Sequence, residues 1–142
     1  MSDQKKMPPS KEQFVHLDPD VFEKYFAGVD RKTAVDLYAK LANLFTKSID
    51  KKIQTLSKAL GTLDNSQAIV MSHQLKGSLL SLGATDLAGY FRQIEMGVNI
   101  TSNEELLKIL ESKKDDLHLF LEELGTWVSI LQTKGAKAKD ET

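Results

Sequence analysis

The sequence contains no cysteine, and its 142 residues include only three prolines and eight glycines. Without cysteine, the chain can form no disulfide and offers no thiolate ligand to a metal ion. No apolar run approaches the roughly 20 residues that a membrane span requires. The N-terminal Met-Ser-Asp-Gln-Lys-Lys segment lacks the apolar region of a signal peptide. We therefore expect a cytoplasmic protein that does not contact a membrane.

An excess of charge of one sign is also missing, because 19 Lys and Arg residues balance 20 Asp and Glu residues. A balanced charge gives no electrostatic signal for nucleic-acid binding. The sequence has no P-loop, no dinucleotide-binding fingerprint and no His-x-x-x-His spacing. We therefore expect no nucleic-acid partner, no nucleotide site of these kinds and no metal site.

The apolar residues that are present recur at spacings of three and four, which predicts helices, and no sustained alternation predicts a strand. Asp and Ser residues at helix starts and Gly residues at helix ends supply the boundaries. The first predicted helix runs from Pro19, after Asp18, to about Gly28, and the second runs from Asp30 to a left-handed stop at Gly61. The third runs from Asp64 to Gly83, and the fourth from about Thr85 to Gly97. The fifth runs from Ser102 to Thr133, and any bend in it is expected at Gly125.

These helices predict an all-α fold, an antiparallel four-helix bundle with a short additional N-terminal helix. We expect a mobile tail at residues 1–13, the bundle at 14–133 and a disordered tail at 134–142. The long second helix carries an apolar row at spacings of three and four, which predicts the side that faces the core. The row consists of Ala34, Leu37, Tyr38, Leu41, Leu44, Phe45, Ile49, Ile53, Leu56 and Leu60.

The third helix carries one histidine on the side that faces away from its apolar stripe. At about 100° per residue, the core-facing stripe is centred on Leu75, and His73 lies about 160° away from it. Lys76 and Gly77 follow His73 at the spacings that make helix residues neighbours. The pattern indicates an exposed nucleophile next to a positive charge, with a residue that has no side chain one turn further on.

This stretch resembles the histidine phosphotransfer (HPt) domain family, whose pattern is His-x-x-Lys-Gly, then Leu-Gly-Ala, then an apolar helix ending near Leu-Glu. The matching segments here are His73 to Gly77, Leu82 to Ala84 and Ile94-Glu95. The resemblance is close for about 30 residues and looser over Asp30 to Leu124, with Phe91 and Ile94 as minor departures. Glu95, at the end of the pattern, is interpreted as structural.

The resemblance implies that His73 is phosphorylated, that Lys76 offsets the phosphoryl charge, and that Gly77 leaves room for a partner. Gln74 is expected to hydrogen-bond the phosphoryl group or to be solvated. The implied partners are receiver domains of a hybrid sensor kinase and of a response regulator, and the receiver is expected to supply Mg²⁺. We expect a monomer without a cofactor of its own and without autonomous kinase activity.

Three apolar residues on the His73 side of the third helix suggest a surface for docking a partner. These are Ile69, Val70 and Leu80, although Ile69 and Leu80 could instead pack against neighbouring helices. His16 and His118 belong to no motif, and His118 is expected to be solvated.

Two other functions remain open at this point. A histidine-kinase dimerisation domain usually has His-Glu-x-Arg-x-Pro, whereas Gln74 and Ser78 stand at the Glu and Pro positions here. A helical adaptor that binds partners without phosphorylation would not need His73. An exposed His73 would favour the phosphorelay protein that the HPt resemblance implies over the adaptor. A monomeric state would favour that phosphorelay protein over the dimerisation domain.

Overall fold

The structure is a computed structural model that describes residues 13–141, with side chains described for residues 13–133. Every regular element in this part is a helix, which confirms the predicted all-α class. The helices are α1 (Asp20–Tyr25), α2 (Arg31–Gly61), α3 (Asn65–Leu82), α4 (Thr85–Gly97), α5 (Asn103–Ser112) and α6 (Lys114–Glu141). The expected tail at residues 1–13 lies almost wholly outside the described residues. The backbone of residues 134–141 is helical as the end of α6, where a disordered tail was expected, so the last helix extends past its predicted end at Thr133. The side chains of these residues lie outside the described ones, and the mobile tail at residues 1–13 stays a prediction.

The helix starts lie at the predicted capping residues. The carboxylates of Asp30 and Asp64 accept hydrogen bonds from backbone N–H groups three residues later, each at 3.2 Å. The hydroxyl of Ser102 accepts in the same way from Glu105, also at 3.2 Å. Asp18 also accepts from the N–H of Asp20 at 3.0 Å, but Pro19 occupies the cap position, so α1 begins one residue later than predicted. These bonds satisfy N–H groups that have no partner within their helix.

The helix ends match the prediction at Gly83 but not at Gly61. Gly83 ends α3 in the left-handed region, with φ of +103°. α2 does extend to Gly61, but the left-handed residue of the following turn is Leu63, with φ of +61°. The predicted left-handed stop at Gly61 is therefore wrong. The turn instead closes through the backbone N–H of Asp64, which donates to Ala59 at 2.8 Å.

The predicted fifth helix is two helices, and the break lies at Lys113 rather than at Gly125. Lys113 has a φ of −105° and a ψ of 0°, and its ammonium group lies 3.9 Å from the centre of the Tyr90 ring on α4. α5 packs on α2 and α4, whereas α6 packs along α2, so the chain must change direction between them. α6 continues through Gly125 without interruption. The all-α bundle is thus confirmed, but its last member is not one continuous helix.

The helices surround one apolar core, with α2 in contact with α3, α5 and α6, and with α4 packed between α3 and α5. In α3 the predicted stripe is largely confirmed, because Ser72, Leu75 and Leu79 are fully buried. The largest fully buried side chains elsewhere are Phe22, Tyr38, Phe91 and Phe120. Burial of this stripe holds α3 in a defined rotation about its axis, which directs the opposite side of the helix outwards.

Three leucines of α2 that were expected in the core lie on the surface. Leu37, Leu41 and Leu44 are 45%, 46% and 58% exposed. Other members of the predicted row are buried as expected, including Tyr38, Phe45 and Ile49. Apolar residues occupy too wide an arc of α2 for all of them to face one core. Which row is buried depends on the rotation of the helix against its neighbours.

The segment before α1 is held against the bundle by Glu123 of α6 and by His16. The buried carboxylate of Glu123 accepts from the backbone N–H groups of Val15, of His16 at 2.9 Å and of Leu17 at 3.1 Å. The His16 ring, only 9% exposed, lies 2.7 Å from an oxygen of Asp86. A buried carboxylate is costly unless several donors satisfy it, and three backbone groups do so here.

This segment also supports the C-terminal end of α3. The N–H of Asp18 donates to the carbonyl oxygen of Gly83 at 2.8 Å. A Cβ atom on Gly83 would lie 2.9 Å from the carbonyl oxygen of Asp18, so the position requires glycine for space as well as for its φ. The hydroxyl of Tyr38 donates to the carbonyl oxygen of Leu82 at 2.6 Å, and burial raises the pKa of Tyr38. The end of α3 is therefore held by both α2 and the N-terminal segment.

Candidate functional site

His73 lies near the middle of α3 and faces away from the core, as predicted. Its side chain is 66% exposed, while Ser72, one residue before it, and Leu75, two residues after it, are fully buried. The exposure follows from the buried stripe of α3, because a residue about half a turn from that stripe must face solvent. The imidazole is therefore accessible to another protein.

Glu95 of α4 connects His73 to Lys76. One carboxylate oxygen lies 3.0 Å from Nδ1 of His73, and the other accepts a hydrogen bond from Nζ of Lys76 at 2.9 Å. The side chains of Lys76 and Glu95 are 22% and 20% exposed. The interpretation of Glu95 as structural was incomplete, because this residue belongs to the site. Its position at the end of the Ile94-Glu95 pattern was the available signal.

Glu95 is ionised at neutral pH. Burial by itself would raise the pKa of Glu95, but the hydrogen bonds from Lys76 and His73, together with their charges, outweigh burial and lower the pKa below its ordinary value. An ionised carboxylate can only accept hydrogen bonds. The hydrogen of a neutral His73 ring is therefore assigned to Nδ1, and the lone pair of Nε2 is left available.

Gly77 leaves open space one turn after His73. A Cβ atom built on Gly77 would meet no atom within 4 Å. Gly77 and Gln74 line a groove between α2 and α3 that also contains His73, with a volume of about 510 Å³. Leu41 and Leu44 of α2 form part of the opposite wall. The groove gives a second protein an approach to the imidazole that no side chain obstructs at position 77.

The three residues expected to form a docking patch have different environments. Val70 is 49% exposed, whereas Ile69 and Leu80 are half-buried and pack against the core. Leu80 lies on the α4 side of α3, where a second groove also contains Lys76 and Arg92. The exposed apolar row of Leu37, Leu41 and Leu44 lies on the other side of His73, and sequence reasoning did not single it out as a surface.

The two other histidines lie away from this site. His16 contacts Asp86 and Asp116, an arrangement that the sequence did not indicate, because these residues are 70 and 100 positions distant. His118 is 63% exposed, as expected, and its Nε2 lies 3.6 Å from an oxygen of Asp50. Neither ring has a lysine and a glycine arranged as they are around His73.

Among the described side chains, residues 13–133, no group of three or more His, Cys, Asp or Glu is placed to hold a metal ion. None of the helices described is both long enough and apolar enough to cross a membrane.

Comparison with known proteins identifies the family. A family model described as the Hpt domain matches residues 40–129, which is more than half of the chain and includes α3, α4 and α5 entirely. Neither the curated proteins nor the solved structures that were searched gave a match. The matched region contains the exposed His73, the Lys76–Glu95 pair and the open position at Gly77. The chain is a member of the histidine phosphotransfer (Hpt) domain family.

Proposed function

We propose that the protein is a phosphorelay intermediate that accepts a phosphoryl group on His73 from a phospho-aspartate receiver domain or a sensor kinase, and passes it to the receiver of a response regulator. Membership of the Hpt family implies histidine-containing phosphotransfer in a phosphorelay. The observation that supports His73 as the acceptor is its exposed ring, whose Nδ1 faces the ionised Glu95.

The proposed reaction needs one nucleophilic atom and a clear line of approach. Nε2 of His73 attacks the phosphorus of the acyl phosphate, a P–N bond forms, and the P–O bond to the aspartate breaks. The electron pair of that bond leaves with the aspartate carboxylate. The proton on Nδ1 stays in place, and Glu95 stabilises the positive charge that develops on the ring. Transfer to the next receiver reverses these steps.

Phosphoryl transfer depends mainly on positioning and on neutralising charge. In this proposal the receiver supplies Mg²⁺, its acidic pocket and its own lysine. This chain's own contribution in the proposal is the oriented imidazole and the unobstructed surface around it.

The test is transfer from a phosphorylated receiver domain. The protein is mixed with receivers carrying labelled phosphate, and the label that it gains is assayed for stability in acid and in alkali. Phosphohistidine is expected, which is labile in acid and stable in alkali. Absence of any acid-labile label with every receiver tried would contradict the proposed function.

Glu95→Ala is expected to slow phosphorylation of His73 by about tenfold, or about 1.4 kcal/mol of activation free energy. The variant removes the acceptor that keeps the hydrogen on Nδ1 and the charge that stabilises the phosphorylated ring. Since the pKa of Glu95 is lowered, its carboxylate is ionised at neutral pH and assists the transfer fully there. This assistance to the transfer rate is lost only as the pH falls through the lowered pKa of Glu95. The measurement is the single-turnover transfer rate.

A second readout separates positioning from general destabilisation. The ¹⁵N chemical shifts of the His73 ring should report hydrogen on Nδ1 in the wild type and in Glu95→Gln, whose amide oxygen still accepts, but on Nε2 in Glu95→Ala. Glu122→Ala is the control, because Glu122 is an exposed glutamate on α6. A normal transfer rate in Glu95→Ala would show that Glu95 does not assist His73.

We also propose that the receiver docks on the groove between α2 and α3, with the row of Leu37, Leu41 and Leu44 as its apolar contact. Hpt domains interact with receiver domains. Leu41 and Leu44 line the same groove as His73, so a partner that reaches the imidazole through this groove must cover them. Exposed apolar residues grouped beside a reactive side chain are typical of an interaction surface. Ile69, Val70 and Leu80 remain the competing patch.

Leu41→Asp is expected to weaken receiver binding at least tenfold, because it places a charge in an apolar contact. Val29→Asp is the control, since Val29 is 42% exposed and Leu41 is 46% exposed. The measurement is the dissociation constant, with the melting temperature of each variant recorded in parallel. The proposal would be contradicted if Leu41→Asp kept the wild-type affinity for the receiver while a stable Leu80→Asp variant lost most of its affinity. The receiver would then dock on the α4 side of α3.

A further inference from the structure

The charges next to His73 are already balanced before any phosphoryl group arrives. Nζ of Lys76 lies 2.9 Å from Oε1 of Glu95, and the lowered pKa of Glu95 keeps that carboxylate ionised. A phosphoryl group adds between one and two negative charges near neutral pH. The positive charge of Lys76 is largely offset by Glu95, so the pair offers little net charge to the phosphoryl group.

Lys76 and Glu95 do not line the groove between α2 and α3, and apart from the His73 ring, Lys52 is the one ionisable side chain among the described residues that do. The lining of this groove is otherwise apolar or neutral and includes Ser48, Gln74 and Ser78. Lys52 is half-buried, and within the described residues its ammonium group has no carboxylate within 4.0 Å. Its charge is therefore unbalanced and lies at the edge of a partly apolar groove, where screening by water is reduced.

The helix geometry places Lys52 and His73 at the same level of the bundle. Lys52 lies nine residues before the end of α2 at Gly61, and His73 lies eight residues after the start of α3 at Asn65. At a rise of 1.5 Å per residue, both lie about 12–14 Å from the turn that joins the two helices. Lys52 and His73 thus face the same part of the groove from neighbouring antiparallel helices.

We propose that Lys52 is a phosphoryl-binding residue, whose ammonium group donates hydrogen bonds to the oxygens of a phosphoryl group on Nε2 of His73. The inference rests on the function proposed above. Lys52 approaches from the α2 side of the ring, whereas Lys76 and Glu95 lie on the α4 side. Phosphorylation of His73 would give Lys52 an anionic partner that it lacks among the described residues.

The test measures the phosphoryl group directly and needs no protein partner. Phosphoramidate is the phosphate donor: Nε2 of His73 displaces ammonia from phosphorus, so one P–N bond forms and another breaks. The ³¹P resonance of the phosphohistidine is then followed as a function of pH. Lys52→Met should raise the pH midpoint of the phosphoryl group by about half a unit, since a nearby cation favours the more highly charged form.

Two further variants make the result specific. Lys51→Met removes the same charge from the adjacent, exposed position and should leave the midpoint unchanged. Lys52→Arg keeps the charge and should restore the midpoint close to that of the wild type. Equal shifts in Lys51→Met and Lys52→Met would overturn the proposal, because they would show a general charge effect rather than a contact.

A second measurement connects Lys52 to the relay. At equilibrium with a phosphorylated receiver, Lys52→Met should hold three- to tenfold less phosphate than the wild type, and Lys51→Met should match the wild type. If the wild type gains no phosphate on His73 from either donor, the proposed function fails. If it does, and Lys52→Met behaves as Lys51→Met in both measurements, only the role of Lys52 fails.

Discussion

His73→Gln is expected to abolish phosphate acceptance while leaving helical content and melting temperature nearly unchanged. The side chain is 66% exposed and lies outside the core, so its loss removes the nucleophile with little change in packing. Surface substitutions of this kind usually change stability by less than about 0.5 kcal/mol. The measurement is labelling by phosphorylated receivers, with circular dichroism and thermal melting on the same sample.

His118→Gln is the matched control for this variant. His118 is 63% exposed and lies on α6, away from the groove, so its replacement should leave labelling intact. Persistent labelling of His73→Gln, or label located on His16 or His118, would reject His73 as the acceptor. Loss of labelling together with a large fall in melting temperature would instead show that His73 supports the fold.

Gly77→Gln is expected to slow transfer by about a hundredfold without unfolding the protein. Nothing lies within 4 Å of a Cβ atom at this position, so the fold has room for the side chain. The same space lies one turn from His73, where the partner's phosphorylated aspartate must approach. Reacting atoms need to come within about 3–3.5 Å, and a displacement of about 1 Å can cost a factor of about a hundred.

The stability of the variants at this position provides an internal check. Gly77→Ala should stabilise the fold by about 0.5–1 kcal/mol, because alanine reduces the backbone entropy of the unfolded chain. Gly125 is the control, since it is also an exposed glycine inside a helix with no atom within 4 Å of a Cβ. Gly125→Ala should give a similar stabilisation, and Gly125→Gln should leave the transfer rate unchanged.

Two outcomes would contradict this account of Gly77. A stable Gly77→Gln protein with the wild-type transfer rate would show that the position does not clear an approach path. A strong loss of stability in Gly77→Gln would show that Gly77 is required for packing, contrary to the open space around it.

Capping and periodicity made the helices predictable, because both depend on residues close together in the sequence. Asp30, Asp64 and Ser102 each accept from an N–H three residues later, as the local pattern indicates. The break at Lys113 had no such signal, since no proline or glycine lies there. It follows from the different packing partners of α5 and α6, which are distant in the sequence.

The sequence by itself determined the helical class, the helix that carries His73, and the outward position of that residue. These features depend on apolar spacing within one helix. Because the apolar stripe of α3 is buried, His73 on the opposite side of the helix must face solvent. Only the tertiary structure showed that Glu95 connects His73 and Lys76, and that Leu41 and Leu44 face the groove rather than the core. Contacts between helices depend on how each helix is rotated and positioned against its neighbours, which the periodicity of a single helix does not specify.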